Sequence, residues 1–364
     1  LVGKKIILAA NSDLSFDQRM QRICQTLDQA GYHVFILGRC FPKSIELANE
    51  NYQQERISLW FQKGKLAYIE LNFRIFFNLL FQKTDAFYSV DLDTLLACWW
   101  LAKLKGKKLI HDAHEFMEEV PEVYNRPITK KIWRWIGKSF VPGTDLAFTT
   151  SQTIGVELEK IHHKKYGLVR NIAHLTEIET HENRPKETGF WVFLGAVNQG
   201  RGIEEFLEIL PYTNRKLVIL GDGDRMEAIQ KLVSDKSIEH LVEFRGKVKP
   251  AEARKIMINA WAGINLLTDE GLSYRYSLAN KFFDYVHAGI PQICINFPEY
   301  KLLMNDFEVG VLSSLQKDSI LAATQIISLP EKQLLYRQQT QMAKKVWNWQ
   351  SESKKLLELV EMVF

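Results

Sequence analysis

Cysteine is scarce. Cys24, Cys40, Cys98 and Cys294 are the only four in 364 residues, and none forms a C-x-x-C pair. Each lies in an apolar stretch, so they read as buried packing residues in a reducing compartment, not as a disulfide framework. An excess of one charge is also missing. The formal net charge is +4, which permits anionic ligands but does not argue for nucleic acid without a clustered basic face. No apolar run reaches the ~18 residues that span a bilayer; the longest, Phe73–Phe81, is broken by Arg74 and Asn78. The opening Leu1-Val2-Gly3-Lys4-Lys5 runs straight into a strand pattern without the layout of a secretory signal, so a cytoplasmic protein is expected. There is no internal repeat and no low-complexity tract.

What is present is globular: 46% hydrophobic and 25% charged residues. The length suits two domains. Short apolar runs alternate with amphipathic segments. Strands are expected at Lys5–Ala10, His33–Leu37, Ile57–Phe61, Ala86–Val90, Lys108–His111 and Leu146–Thr149, with helices at Leu66–Phe81 and Leu92–Leu104. Ser15-Phe16-Asp17-Gln18 has the form of a capping box opening a helix whose apolar face is Met20, Ile23, Cys24 and Leu27. A polar stretch, Thr176–Glu187, reads as a linker. Strands recur at Phe190–Leu194, Lys216–Leu220, Val242–Phe244, Gly263–Leu267 and Gln292–Ile295. The pattern predicts an α/β protein of two doubly wound, Rossmann-like parallel-sheet domains facing a cleft. The expected bounds are 1–172, a linker at 173–188, and 189–344, with a C-terminal helix at about 345–364 that could pack back on the first domain.

Several strand ends carry candidate chemistry. Leu194-Gly195-Ala196-Val197-Asn198-Gln199-Gly200-Arg201-Gly202 lies between a strand and the helix 203–210. Backbone N–H groups at such a turn, with the fixed charge of Arg201, suit a diphosphate; an ordinary strand-to-helix turn with a solvent arginine is the alternative. Leu220-Gly221-Asp222-Gly223-Asp224 lets backbone approach a ligand, with Asp224 as a helix N-cap. At Phe244-Arg245-Gly246-Lys247-Val248, backbone groups could read a flat base. In the segment Ser277-Leu278-Ala279-Asn280-Lys281-Phe282-Phe283-Asp284, Asn280 and Lys281 open a helix where donors face a phosphate. Asp284 lies one turn on, where a carboxylate can accept ribose hydroxyls, or is simply a polar residue on a half-exposed helix.

Gly200-Arg201-Gly202, Leu220–Gly223, Phe244-Arg245-Gly246 and Ser277–Pro291, in this order and spacing, resemble the GT-B-fold glycosyltransferases of family 4, the retaining "group 1" enzymes. The resemblance covers most of the second half and, more loosely, the first. It implies a nucleotide-sugar donor held by the C-terminal domain, no metal requirement, and bacterial surface-polysaccharide or glycoconjugate assembly. It assigns Arg201 to the diphosphate and Asp284 to the ribose. Tyr276 stands where the family has a further glutamate, and Ala196 is near the place of a second basic residue, for which Lys281 could compensate. In the first half, Asp112-Ala113-His114-Glu115 looks like the family's Asp-x-His-Glu segment, which places His114 near the transferring sugar; the other reading is a helix start capped by Asp112 and boxed by Glu115. Asp17 and Arg19 face the acceptor or serve as cap and surface charge. Asp91-Leu92-Asp93 could hold a metal on a diphosphate, but N-capping with the helix dipole explains it. The histidines, including His162-His163, show no zinc spacing.

The expected donor is a UDP- or GDP-sugar, and the acceptor a saccharide or a lipid-linked sugar. In 128–141, Lys130, Arg134 and Lys138 repeat opposite Ile132, Ile136 and Phe140, with Trp133 and Trp135 between. Such a helix either buries its apolar face or lies on the inner face of an anionic membrane. Two other functions share the fold: a non-hydrolysing nucleotide-sugar epimerase and an inactive sugar-nucleotide-binding relative.

Overall fold

The computed structural model describes residues 3–120, 123, 126–176 and 189–364. The apolar runs become two sheets. The first contains β1 (Lys5–Ala9), β2 (His33–Cys40), β3 (Gln53–Ser58), β4 (Ala86–Val90), β5 (Lys108–Ala113), β6 (Leu146–Thr149) and β7 (Gly167–Leu168), in the order β3-β2-β1-β4-β5-β6-β7. The second contains β8 (Trp191–Leu194), β9 (Leu217–Leu220), β10 (Val242–Gly246), β11 (Ala262–Asn265), β12 (Gln292–Ile295) and β13 (Gly310–Ser313), in the order β10-β9-β8-β11-β12-β13. Every pairing among them is parallel. The expectation of two doubly wound Rossmann-like sheets therefore holds. In each sheet the strand order reverses once, between β1 and β4 and between β8 and β11. Open α/β sheets hold ligands outside the carboxyl ends of the strands at such a reversal.

Burial explains which strands the sequence announces. Ile6, Ile7, Leu8 and Ala9 of β1 are all buried, as a central strand covered on both faces requires. The edge strand β3, with sequence QQERIS, alternates exposed and half-buried residues. Its polar sequence carries little apolar signal, so the expected strand at Ile57–Phe61 lies several residues too late.

Helix ends also correct the expectations. The helix Gln18–Gln29 is capped by Asp17, whose carboxylate accepts the Met20 N–H at 3.0 Å, so Ser15 does not cap it. The helix Met226–Asp235 follows Arg225 without a side-chain cap. Asp224 instead donates its backbone N–H to Asn198 at 3.4 Å. Asp112 lies inside β5 and caps no helix.

By contact the chain divides into two compact units, Leu1–Asn171 with Glu352–Phe364, and Ile172–Ser351. The first core packs Ile7, Phe87, Leu95 and Leu101 between sheet and helices. The second packs Trp191, Phe206, Leu217 and Ile264, with a further cluster around Phe282, Tyr300 and Trp347. The Glu352 carboxylate accepts the Arg170 N–H at 2.8 Å within the first unit. Residues 177–188 of the expected linker lie outside the described residues. Cys24, Cys98 and Cys294 are buried and Cys40 is partly buried, all as free thiols.

Candidate functional site

At the reversal of the second sheet, the turn after β8 meets the turn after β11. The Gly200 carbonyl accepts the Thr268 N–H at 2.9 Å. Gly202 takes a left-handed φ of 70°, and a Cβ there would lie 2.3 Å from the Leu266 Cβ. A Cβ on Gly221 would lie 1.8 Å from the Gly195 carbonyl oxygen. These glycines are therefore fixed by the approach of the chain to itself, whatever the turn binds. The helix that follows, Ile203–Ile209, has only seven residues.

Lys281 gives this turn its character. It opens the helix Asn280–Ala288, is 7% exposed, and turns inward. Its ammonium lies 3.9 Å from the centroid of the Phe193 ring at the end of β8 and has no hydrogen-bond partner. A Cβ added to Gly195 would lie 4.0 Å from its Cε, so the side chain runs up to the bare backbone of the glycine turn. Burial, and then the neighbouring charge of Arg201, lower its pKa to about 7. The Arg201 guanidinium sits 5.5 Å from the centroid of the Tyr274 ring, and its Nε is buried without a partner. Among the described residues no carboxylate pairs with either cation. Burying an ammonium without a counter-charge costs several kcal/mol, on the order of the effective penalty for one ion. An anion at this turn would supply the missing counter-charge.

The other expected residues of this unit are distributed around that turn. Gly200, Arg201, Gly202 and Lys281 come together, and Gly221 meets them through Gly195. Asp222 is exposed and accepts the Gly223 N–H at 2.8 Å. Ser277 donates its hydroxyl to the Tyr274 carbonyl at 2.9 Å. Leu278 packs on the cluster around Phe282, Asn280 is exposed, and Asp284 is half-buried one turn further along. Lys247 stands exposed just past the edge strand β10, two strands from β8, and Val248 packs with Ala253 and Met257. The sequence reading did not find Phe193, Thr268 or Tyr274. The fold alone brings Thr268 and Tyr274 to the glycine turn and turns Lys281 onto the Phe193 ring.

The reversal of the first sheet is polar too, but its charges are paired. Arg19 is 3% exposed and grips Asp112 with two bonds, Nε to Oδ2 at 3.2 Å and Nη2 to Oδ1 at 2.9 Å. Its third nitrogen donates to the Val169 carbonyl. The Tyr88 hydroxyl and the His114 Nε2 also reach Asp112 Oδ2, at 2.7 and 2.9 Å. Burial alone would raise the Asp112 pKa, but the charges of Arg19 and His114 outweigh it and hold the carboxyl below the usual range. For His114, burial pulls the pKa down, while the charge and hydrogen bond of Asp112 pull harder, so the imidazole lies above its ordinary value. Arg19 is thus neither a surface charge nor an acceptor contact.

Asp91 and Asp93, at the end of β4, complete this end of the sheet. Asp91 has a left-handed φ of 56°, and its carboxylate accepts the N–H groups of His114 and Glu115 at 2.8 and 3.2 Å. It fixes the loop carrying His114 and does not cap its own helix, which has no side-chain cap. Burial raises the Asp91 pKa to about 8 and that of Asp93 to about 6. Asp93 Oδ2 accepts from the Asn11 amide at 2.8 Å, and its Oδ1 is buried without a partner. No group of three or more His, Cys, Asp or Glu among the described residues could hold a metal.

No family model matches the sequence, and no curated protein matches it significantly. Solved structures do match. Sucrose-phosphate synthase from Thermosynechococcus elongatus superposes with a TM-score of 0.79 at 14% identity, covering 99% of both chains. The Anabaena protein HepE in complex with UDP gives 0.74 at 11% identity, over 98% of this chain and 99% of that one. The lipopolysaccharide outer core galactosyltransferase WaaB, in its apo form, gives 0.73 at 13%, over 98% and 99%. At such identities the likeness establishes the two-sheet fold.

Proposed function

We propose that this protein is a glycosyltransferase that takes a sugar from a nucleoside-diphosphate donor, with the diphosphate held by Lys281 and Arg201. The observation that carries the reading is the buried, unpartnered ammonium of Lys281 against the glycine turn at the sheet reversal. Departure of a nucleoside diphosphate builds negative charge on its phosphates. Two preorganised cations and the turn's backbone stabilise that charge where it develops. HepE, of the same fold, has been solved with UDP and with UDP-glucose, which favours a uridine donor over a guanosine one. Asp284 is assigned to the ribose, Gly223, Lys247 and Val248 to the base side, and His114 to the hydroxyls of the transferring sugar. With Nε2 held by Asp112, the His114 Nδ1 is the ring nitrogen left for a ligand. No metal is assigned. The acceptor is a saccharide or a lipid-linked sugar in surface-glycoconjugate assembly, and residues 128–141 are assigned a peripheral membrane contact.

The test is a turnover panel with UDP-, GDP- and ADP-sugars, each with and without a mixed oligosaccharide and glycolipid acceptor fraction. Transfer from one donor, reduced about 10²–10³-fold in Arg201→Ala, supports the reading. The anomeric configuration of the product tests the retention that the resemblance implies. Interconversion of the donor sugar without any acceptor would identify an epimerase. Tight nucleotide binding with no turnover would identify a binding relative, the reading that Tyr276 in place of a glutamate favours.

A further inference from the structure

The first unit exposes an apolar face that the donor pocket does not use. The helices Lys65–Leu79, Asp91–Lys105 and Pro127–Phe140 pack in succession beside the first sheet. Between them runs a groove of about 1100 Å³ walled by Ile69, Phe73, Phe77, Trp100, Ile132 and Trp135. A helix that covers a sheet normally turns its polar side outward. The helix Gln18–Gln29 does so, burying Met20, Ile23, Cys24 and Leu27. The groove helices do not: Phe77 is 62% exposed, Trp135 59% and Trp100 55%. Soluble monomers rarely present a contiguous apolar patch of more than a few hundred Å² without a partner for it.

The rim chooses the partner. The helix Pro127–Phe140 carries Lys131, Arg134 and Lys138, beside Lys130, which is paired with Glu119 at 2.6 Å, and has no carboxylate of its own. Lys65 lines the groove, and Lys103 and Lys105 close the middle helix. Glu70, the one acidic residue on Lys65–Leu79, is bound to Arg74. A second copy of the chain seated here would set cations against cations. An anionic lipid surface matches both features, with aromatic rings at the depth of the headgroups and lysine and arginine on the phosphates.

We propose that this three-helix groove docks the protein on an anionic lipid bilayer, with Phe73, Phe77, Trp100 and Trp135 entering the interface. This rests on the membrane contact assigned to residues 128–141 and extends it from one basic helix to an aromatic surface built by three. It does not depend on the donor chemistry.

Co-sedimentation of the full chain with phosphatidylcholine vesicles, with and without phosphatidylglycerol, tests both levels. The variants are Phe73→Ser/Phe77→Ser for the groove, Trp135→Ser as a milder change, and Lys131→Glu/Arg134→Glu/Lys138→Glu for the basic helix. A thermal unfolding midpoint near that of the native chain confirms folding of each. The expected result is binding that requires phosphatidylglycerol, falls with salt, and weakens at least about tenfold in both the groove and the basic-helix variants. If only the basic-helix variant weakens, the groove proposal fails and the single-helix contact survives. If the native chain binds neither vesicle, both fail. A concentration-dependent dimer that Phe73→Ser/Phe77→Ser dissociates, without vesicle binding, would instead identify a second copy as the occupant.

Discussion

Arg19 and Lys281 are both buried cations near the carboxyl edge of a parallel sheet, one in each unit, and the fold treats them in opposite ways. Arg19 spends all three of its guanidinium nitrogens inside the protein, two on Asp112 and one on the Val169 carbonyl. Lys281 has an aromatic ring beneath it and nothing to donate to. The first arrangement is finished by folding and fixes a loop. The second is left open by folding, and under the proposed function a diphosphate closes it. The same topology thus supplies a paired charge at one reversal and an unpaired charge at the other.

The comparison breaks most visibly if the pair in the first unit is cut. Arg19→Met leaves Asp112 buried beside Tyr88 and His114 without its main counter-charge, and is expected to cost about 3–5 kcal/mol of stability, read by urea unfolding. A cost below about 1 kcal/mol would place Arg19 among surface charges after all. Next in size is the effect on catalysis. Lys281→Met and Arg201→Ala should each lower turnover about 10²–10³-fold, read with the donor sugar that the panel identifies, while neither lowers stability as Arg19→Met does.

The third effect is one of pH. Burial and Arg201 lower Lys281 to about 7 in the free protein, so above pH 7 the Lys281 amine is mostly neutral, and binding a diphosphate to its charged form must draw in a proton. Nucleotide affinity should be flat below pH 7 and fall as pH rises above it, by up to about tenfold per unit. Calorimetry in two buffers of different ionisation enthalpy reads the proton uptake. The smallest effect concerns Asp93. Its folded pKa of about 6 lies above the unfolded value, so the folded state holds the proton more tightly and this group's ionisation destabilises the fold as pH rises from about 4 to 6. Asp93→Asn keeps an acceptor for Asn11 and should stabilise the chain by about 1–3 kcal/mol at pH 8 and hardly at all at pH 4, read by thermal unfolding at both.

The parts of this picture that were legible in the sequence are those written locally. β6 and β12 stand where their apolar runs end, because a buried strand announces itself by composition. β7, with two residues, and β13, with the sequence GVLS, carry no such signal and were not expected. The glycine turn and the helix start at Asn280 were readable as motifs. Their meaning was not: Lys281 meets Phe193, 88 positions earlier in the chain (281 minus 193), and local periodicity says nothing about a contact that distant. Arg19 was misread for the same reason. Its partner Asp112 is 93 residues away, and from sequence a polar residue on the first turn of a helix looks like solvent-facing charge. Asp91 shows a third limit. Its position invites an N-cap, but its left-handed backbone swings the carboxylate onto the loop after β5.

The most direct test of the central claim is thermal unfolding of the native chain and of Lys281→Met, each with and without UDP and GDP at about 100 times the native dissociation constant. Replacing an unpaired buried cation by a methyl-thioether of similar length removes its desolvation cost, so the free variant should be the more stable by up to about 4 kcal/mol. One nucleotide should stabilise the native chain by about 2.7 kcal/mol and leave the variant unmoved. A free variant less stable than the native chain, or a nucleotide response that survives the substitution, would show that Lys281 is not the waiting half of a diphosphate site.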